Sequence, residues 1–309
     1  MQTRGHGLIW CAVFVALDAA QAVLFGSFLQ RIDSLLLGLL VFGLSSLACL
    51  VYVSLRAGDE LRAALGAPCL LTQLNVSTAA GWLAYLGAIQ LVEPAVAFTI
   101  FSGVIPLIIV AARAWRGDDA GARFHGFEIV GLVVLALGLA LLAVTTLAGL
   151  SGFVRGGVDV AFAGLFLAAL SGVAMGWMLL ASFGLNKIGV GPAGVFAARF
   201  PLYLILAGAG YLAGVDDKGA VAPDVLIPAV LLGIVVLAFP IYAVQQAVAH
   251  TSALTVGAAT ALIPVGVLVL QSLEGRVAYA PATAFGLAVY TVGALVAAAG
   301  RARAAVHPR

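Results

Sequence analysis

The chain has 309 residues, of which 63% are hydrophobic and 9% are charged, and its formal net charge is +2 at pH 7. Soluble globular domains carry about 25% charged residues, so this composition excludes an ordinary soluble protein and predicts a chain solvated by a lipid bilayer. The small net charge, without a dense basic cluster, argues against nucleic acid as a partner.

Apolar runs long enough to cross a bilayer follow one another along the whole chain. About 20 apolar residues span the hydrocarbon core as a helix, so the sequence predicts an all-α integral membrane protein with ten transmembrane helices. They cover residues 7–28, 33–55, 69–91, 94–115, 126–148, 158–184, 192–213, 225–248, 252–272 and 280–300. The first run is too long for a signal-peptide core and is predicted to be a retained helix.

The basic residues predict the side of the membrane on which each linker lies. With a cytoplasmic N-terminus, ten basic residues fall in cytoplasmic segments and four in outer segments. The sequence therefore predicts a multi-pass protein with its N- and C-termini in the cytoplasm.

Two parts of the chain share one outline at an offset of 158 residues (264 minus 106). The matched pairs are Pro94 with Ser252, Ile105 with Ile263, Pro106 with Pro264 and, with one residue of slip, Trp82 with Phe239 and Tyr85 with Tyr242. Apolar helices also resemble each other by chance, but the prolines and aromatic pairs at half the chain length favour a duplication. Residues 1–150 are therefore predicted to form a first five-helix repeat, and residues 151–309 a second, inverted one.

This 5+5 arrangement, with a Tyr…Ala…Pro unit across the third and fourth helices of each half, resembles the drug/metabolite transporter (DMT) superfamily in its EamA-like branch. The stretch AARFPLYLILAG (197–208) is similar to that branch in its early arginine and the small, apolar residues that follow. It departs from a symmetric pattern because the first-half counterpart of Arg199, near Phe42, is not basic. Length, helix number and aromatic placement most resemble bacterial YddG-type exporters, which implies export of aromatic amino acids from the cell.

Polar side chains inside a membrane span are costly unless they face the protein interior, so they are candidate functional residues. On the third helix, Asn75, Thr78, Trp82 and Tyr85 share one face at spacings of 3, 4 and 3. Such faces predict a central cavity in which rings stack on a planar ligand and polar groups contact a zwitterion. The alternative interpretation is that the stripes only pack helices together. The predicted cavity residues are Asp18, Gln21, Asn75, Thr78, Trp82, Tyr85, Trp177, Tyr242, Gln245 and Gln246.

Two charged residues lie in the interior of predicted spans, away from the span ends. Asp18, near the centre of the first helix, is predicted to bind a substrate ammonium or a coupling proton, or else to form a structural contact, for example with Arg199. Arg199 itself is interpreted as an anchor between helices or a side chain reaching the interface. Glu93 and His250, in equivalent hairpin turns, are predicted to be solvated.

Four small or rigid residues are assigned structural or gating roles. Gly172 and Gly176 form a GxxxG pair that favours close helix packing. Pro106 and Pro264 lie inside spans and are predicted to kink them beside the cavity.

No metal-ligand, nucleotide-binding or catalytic motif stands out, so no metal or cofactor is expected and the protein is not expected to be an enzyme. The sequence predicts a secondary transporter of the bacterial inner (plasma) membrane that acts as a monomer on a small-molecule substrate. By the resemblance, its cargo is an amino acid or related metabolite. Another small polar metabolite or drug, a membrane-embedded enzyme and a channel or scaffold remain alternatives.

Overall fold

The computed structural model describes residues 2–116, 126–250, 253–275 and 277–306. Within its helices, the described side chains exclude those of residues 2–6, 113–114, 116, 238, 241–242, 244–250, 253–258, 301–302 and 304–306. The described residues form helices and their connections, and the extended backbone among them is an isolated antiparallel bridge between Val92 and Val154.

Twelve helical segments are described. They are α1 (Gln2–Phe28), α2 (Ser34–Arg56), α3 (Gly58–Leu65), α4 (Pro68–Leu91), α5 (Pro94–Arg116), α6 (Gly126–Leu147), α7 (Val158–Lys187), α8 (Pro192–Ala198), α9 (Pro201–Leu212), α10 (Pro223–His250), α11 (Ala253–Glu274) and α12 (Pro281–Val306).

Local sequence explains where many of these helices begin. Six of them start at a proline, whose fixed φ suits the first turn and whose missing N–H has no partner there in any case. The α2 helix starts after Asp33, whose carboxylate accepts hydrogen bonds from the backbone of Leu35 (2.8 Å) and Leu36 (2.9 Å).

Within the described residues, seven helical stretches are long and apolar enough to cross a membrane. They are Gly7–Phe28, Ser34–Arg56, Pro94–Ala112, Gly126–Leu147, Val158–Lys187, Pro192–Leu212 and Pro281–Gly300. Shorter apolar stretches are Pro223–Leu237 and Ala259–Glu274. The α4 helix, with 24 residues, is not one of the seven because polar residues such as Gln73, Asn75 and Gln90 lower its hydropathy.

Large apolar side chains cover much of the outer surface of the bundle. Phe162 and Phe166 on α7 are exposed by 62% and 57%, and Leu137 on α6 by 60%. A soluble monomer rarely exposes apolar patches of this extent, whereas lipid tails solvate them without cost. The chain is therefore an all-α, multi-pass membrane protein.

The helices pack in pairs around a buried interior. The α4 helix lies along α7, α1 lies along α10 and α11, and α6 lies along α12. The α6–α12 pair packs closely at two glycines. A Cβ added at Gly131 would lie 2.1 Å from the backbone nitrogen of Ala297, and one added at Gly293 would lie 2.3 Å from that of Leu135. Small residues thus bring these two backbones together.

Two local predictions differ from the structure. The charged stretch after α2, predicted to be a linker, forms the short amphipathic helix α3, with Asp59 and Glu60 in its first turn. The predicted span 192–213 is divided into α8 and α9, because Pro201 has no N–H to continue the helical ladder.

Candidate functional site

A cluster of aromatic rings fills the interior between α2, α4, α5, α8 and α9. Phe42 lies 4.6 Å from the ring of Trp82, 4.6 Å from the stacked ring of Phe200 and 5.1 Å from the ring of Tyr203. Tyr85 extends the contacts to Phe101 at 5.0 Å. We call Phe42, Trp82, Tyr85, Phe98, Phe101, Phe196, Phe200 and Tyr203 the central aromatic cluster.

Several polar groups in or beside the central aromatic cluster are buried without a hydrogen-bond partner. They are the Thr78 Oγ1, the Trp82 Nε1, the hydroxyls of Tyr85 and Tyr203, and the Arg199 Nε. Leaving such a group unpaired costs about 1–3 kcal/mol, so native proteins leave few of them. These unpaired groups are concentrated around one set of rings, where a bound ligand or water would give them hydrogen-bond partners.

Asp18 and Gln21 share one face of α1, three residues apart. The α1 helix contacts both α4 and α5. Gln21 is 4% exposed. Among the described residues, neither side chain has a hydrogen-bond or ion-pair partner. The structure therefore places α1, with Asp18 and Gln21, against two of the helices that carry the central aromatic cluster.

Asn75 lies at the break between α8 and α9. Its Nδ2 donates to the carbonyl of Ala198 at 2.9 Å, and its Oδ1 accepts from the backbone of Leu202 at 3.3 Å. The hydroxyl of Ser46 donates to the carbonyl of Ala197 at 3.2 Å. These side chains satisfy backbone groups that the broken helix leaves open, so Asn75 supports the site from α4 through the backbone of α8 and α9.

Arg199 occupies the break itself and is 8% exposed. Its guanidinium carbon lies 4.8 Å from the ring centroid of Phe200 and 5.6 Å from that of Phe196. Among the described residues, Asp18 and Arg199 form no ion pair with each other or with any other side chain. The contact between them considered from the sequence is therefore absent from the described part of the chain.

The predicted residues of α7 lie against α4 and α5. A Cβ added at Gly172 would lie 2.6 Å from the carbonyl of Phe101, and one at Gly176 would lie 2.9 Å from Ile108. Both glycines thus allow α5 to approach α7 closely. Trp177 borders a shallow groove of about 260 Å³ between α4 and α7, apart from the central aromatic cluster, and its carbonyl accepts from Gln73 at 3.1 Å.

The remaining predicted residues lie in α5, α10 and α11. Pro106 and Pro264 are inside α5 and α11, respectively. The side chains of Tyr242, Gln245 and Gln246 on α10 lie outside the described residues, as do Ser252 and the side chain of His250.

The prediction that Glu93 is solvated is wrong, because this carboxylate is 0% exposed. It accepts hydrogen bonds from the backbone of Gly152 (2.8 Å), the hydroxyl of Thr283 (2.8 Å) and the amide of Gln271. Burial raises the pKa of Glu93, and the three hydrogen bonds lower it. The effect of burial is the larger, so the pKa of Glu93 lies above its usual value. Glu93 thereby joins the α4–α5 turn to the loop before α7 and to α11 and α12.

A second polar network, which the sequence did not indicate, lies where the loop after α9 meets α2 and α4. Asp216 accepts hydrogen bonds from the backbone (2.8 Å) and hydroxyl (2.6 Å) of Ser34 and pairs with Lys218, which also donates to Gln90 at 2.8 Å. Burial raises the pKa of Asp216, but the hydrogen bonds from Lys218 and Ser34 outweigh it and hold the pKa below its ordinary value. With Glu93, this network holds one end of the bundle together.

Sequence reasoning found Trp82 and Tyr85 but missed their aromatic partners on other helices. Phe42 and Phe200 have no polar atom and no spacing that distinguishes them from packing residues. A possible signal was the alignment of Phe42 with the region of Arg199 in the repeat, since the structure stacks Phe42 on the adjacent Phe200.

Among the residues that the structure describes, no group of three or more His, Cys, Asp or Glu side chains is placed to hold a metal ion. No family model and no curated protein matches the sequence. A solved structure described as "Crystal structure of protein" is similar to the chain, with a TM-score of 0.63 and 22% identity over 95% of this chain and 96% of that one. At that identity the likeness shows the fold alone.

Proposed function

We propose that the protein is a secondary transporter that exports amino acids, aromatic ones preferred, by alternating access through a central site. The observation that carries this proposal is the central aromatic cluster with its unpartnered polar groups. Aromatic faces stack on a planar side chain, and hydrogen-bonding groups without protein partners are free to contact a polar head. Asp18 on the neighbouring helix α1 adds a carboxylate that attracts an ammonium group.

The proposal includes two inverted five-helix repeats, with α8 and α9 counted as one interrupted helix. An inverted repeat predicts that each contact between two helices has a counterpart between the equivalent helices of the other half, and such counterparts are present. The packing of α4 on α7 corresponds to that of α10 on α1, and α5 on α7 corresponds to α11 on α1. The pairs α5–α6 and α11–α12 correspond in the same way. Inverted repeats of this kind place the substrate between the halves.

Membership of the EamA-like branch of the DMT superfamily is part of the same proposal, supported by the repeat and by the stretch 197–208. A bacterial inner-membrane location with both termini cytoplasmic is supported by the distribution of basic residues. We propose that the monomer is the functional unit, since the central aromatic cluster is assembled within one chain.

Uptake of tritiated phenylalanine and tryptophan into proteoliposomes, with and without a pH gradient, tests the proposal. We expect saturable uptake that empty liposomes lack. Uptake that rises linearly with concentration would indicate a channel, and the absence of saturable uptake of any amino acid would contradict the proposal.

A further inference from the structure

Arg199 is a buried cation whose hydrogen-bonding capacity is unused. Its side chain is 92% buried (100 minus 8% exposed), and its Nε has no partner. A guanidinium has five N–H donors and stays charged in proteins. No described residue accepts a hydrogen bond from it, and the described ion pairs are Arg62–Asp59 and Lys218–Asp216. Burying such a charge without hydrogen-bond acceptors is strongly unfavourable.

The groups around Arg199 hold it in place but leave its donors unsatisfied. Phe200 and Phe196 contact the positive charge through their rings, which offer no lone pair in the plane of the guanidinium. The nearby carbonyls of Ala197 and Ala198 already accept hydrogen bonds from Ser46 and Asn75. The acceptor that Arg199 lacks is therefore not supplied by its immediate surroundings.

A second positive feature lies at the same point. The 12-residue helix α9 begins at Pro201, two residues after Arg199, so its N-terminus and the positive end of its dipole are at the break. The two features reinforce each other, since both favour an anion. The rings of Phe200, Phe42 and Trp82 form a continuous row from this point to Tyr85.

We propose that Arg199 binds the carboxylate of the transported molecule beside the positive end of the α9 dipole, while the apolar or aromatic part of that molecule lies along the central aromatic cluster. This inference rests on the proposed function and narrows the substrate to organic carboxylates, amino acids included. The planar fork of the guanidinium contacts both carboxylate oxygens at once, which selects for a carboxylate over a neutral group of similar shape.

Binding to the purified protein in detergent, measured calorimetrically, tests the site with three probes: 3-phenylpropionate, phenylalanine and phenethylamine. We expect Arg199→Gln to weaken both carboxylates at least tenfold and to change phenethylamine less than twofold. Arg199→Lys should fall between, because lysine keeps the charge but lacks the fork. Unchanged carboxylate affinity in Arg199→Gln, or an equal loss for phenethylamine, would overturn the inference.

A comparison in the wild-type protein keeps the test independent of whether the variants fold. The wild-type protein should bind 3-phenylpropionate at least tenfold more tightly than 3-phenylpropanol, which has the same ring and chain but no charge. Equal affinity for the two, or no binding of either carboxylate, would overturn the carboxylate site. Failure of transport itself would appear separately, as proteoliposomes without saturable uptake despite carboxylate binding.

Discussion

Trp82 and Tyr85 carry the ring surface that α4 contributes to the central aromatic cluster. Replacing either with alanine removes stacking surface, and aromatic pairs contribute about 0.5–1.5 kcal/mol beyond the area they bury. We expect Trp82→Ala and Tyr85→Ala each to raise the KM for phenylalanine uptake several-fold, with folded protein retained as judged by size-exclusion chromatography.

Trp115 provides the matched control for these variants, because it is 83% exposed at the end of α5. Trp115→Ala should leave the KM unchanged. Wild-type uptake in both α4 variants would mean that their rings only pack helices together.

Glu93 makes stability depend on pH. Its folded-state pKa is raised above the ordinary value of 4.5, so the folded protein holds this proton more tightly than the unfolded chain does. The stabilisation is complete below pH 4.5 and is lost as the pH rises through the folded-state pKa. We expect the Tm in detergent to decrease as the pH rises above 4.5. In Glu93→Gln the Tm should decrease less over the same pH range.

Asp216 serves as a control with the opposite sign. Its folded-state pKa is below the ordinary value of 3.8, so its stabilisation is present above pH 3.8 and is lost as the pH falls through the folded-state pKa. Asp216→Asn should leave the fall above pH 4.5 intact. An unaltered slope in Glu93→Gln would show that another group causes the pH dependence.

At the residue scale, sequence reasoning singles out residues whose burial in an apolar run is costly, and it misses partners that lie far away along the chain. Asp18 and Arg199 stand out because a charge in an apolar run is expensive wherever it lies. Glu93 was misjudged because a carboxylate beside a proline turn is usually solvated. Its partners Gly152, Thr283 and Gln271 are 59, 190 and 178 residues away, and nothing in the local pattern indicates them.

At the element scale, the break between α8 and α9 depends on Asn75. Asn75→Leu removes the acceptor for the Leu202 N–H and the donor to the Ala198 carbonyl, and leaves both partly buried groups without this partner. We expect a loss of about 1–3 kcal/mol for each unpaired group, seen as a lower Tm.

Ser182→Ala is the control, because the Ser182 hydroxyl donates only within its own helix, to the carbonyl and sulfur of Met178. Its Tm should stay close to that of the wild-type protein. A wild-type Tm in Asn75→Leu would mean that the break is held by other contacts.

The close pairing of α6 and α12 leads to a second prediction at this scale. Gly131→Ala should lower the Tm, because its Cβ would lie 2.1 Å from the Ala297 nitrogen and force the two backbones apart. Gly208→Ala on α9 meets no atom within 4 Å, so it should be neutral or stabilising by about 1 kcal/mol, since alanine favours helices over glycine. Equal Tm values for the two variants would contradict this packing.

Apolar run lengths predict ten spanning helices, and within the described residues seven helical stretches are long and apolar enough to cross a membrane, because the bilayer fixes how long a spanning helix must be. The length of apolar runs does not predict α3, which is short and charged. It also does not predict the division of residues 192–213, because it takes no account of backbone hydrogen bonds. Pro201 was visible in the sequence, but its effect depends on Asn75 and Ser46 on other helices.

At the scale of the whole molecule, composition alone was sufficient to predict an all-α membrane protein, since 9% charged residues cannot cover a soluble surface. Assembly of the central aromatic cluster from α2, α4, α5, α8 and α9 could not be predicted, because ring contacts between helices leave no periodic trace in one sequence. The two repeats are a proposal that the paired helix contacts support, and the transport activity is a proposal that rests on the central aromatic cluster.

Counterflow of radiolabelled phenylalanine tests the central claim most directly. Proteoliposomes preloaded with unlabelled phenylalanine are diluted into tracer, and accumulation of label is followed over time. A transporter that alternates between two sides exchanges inner for outer substrate, so we expect a transient accumulation of label above equilibrium. Trp82→Ala and Arg199→Gln should reduce it, and Trp115→Ala should not. Label that only approaches equilibrium, at a rate independent of preloading, would contradict alternating access through this site.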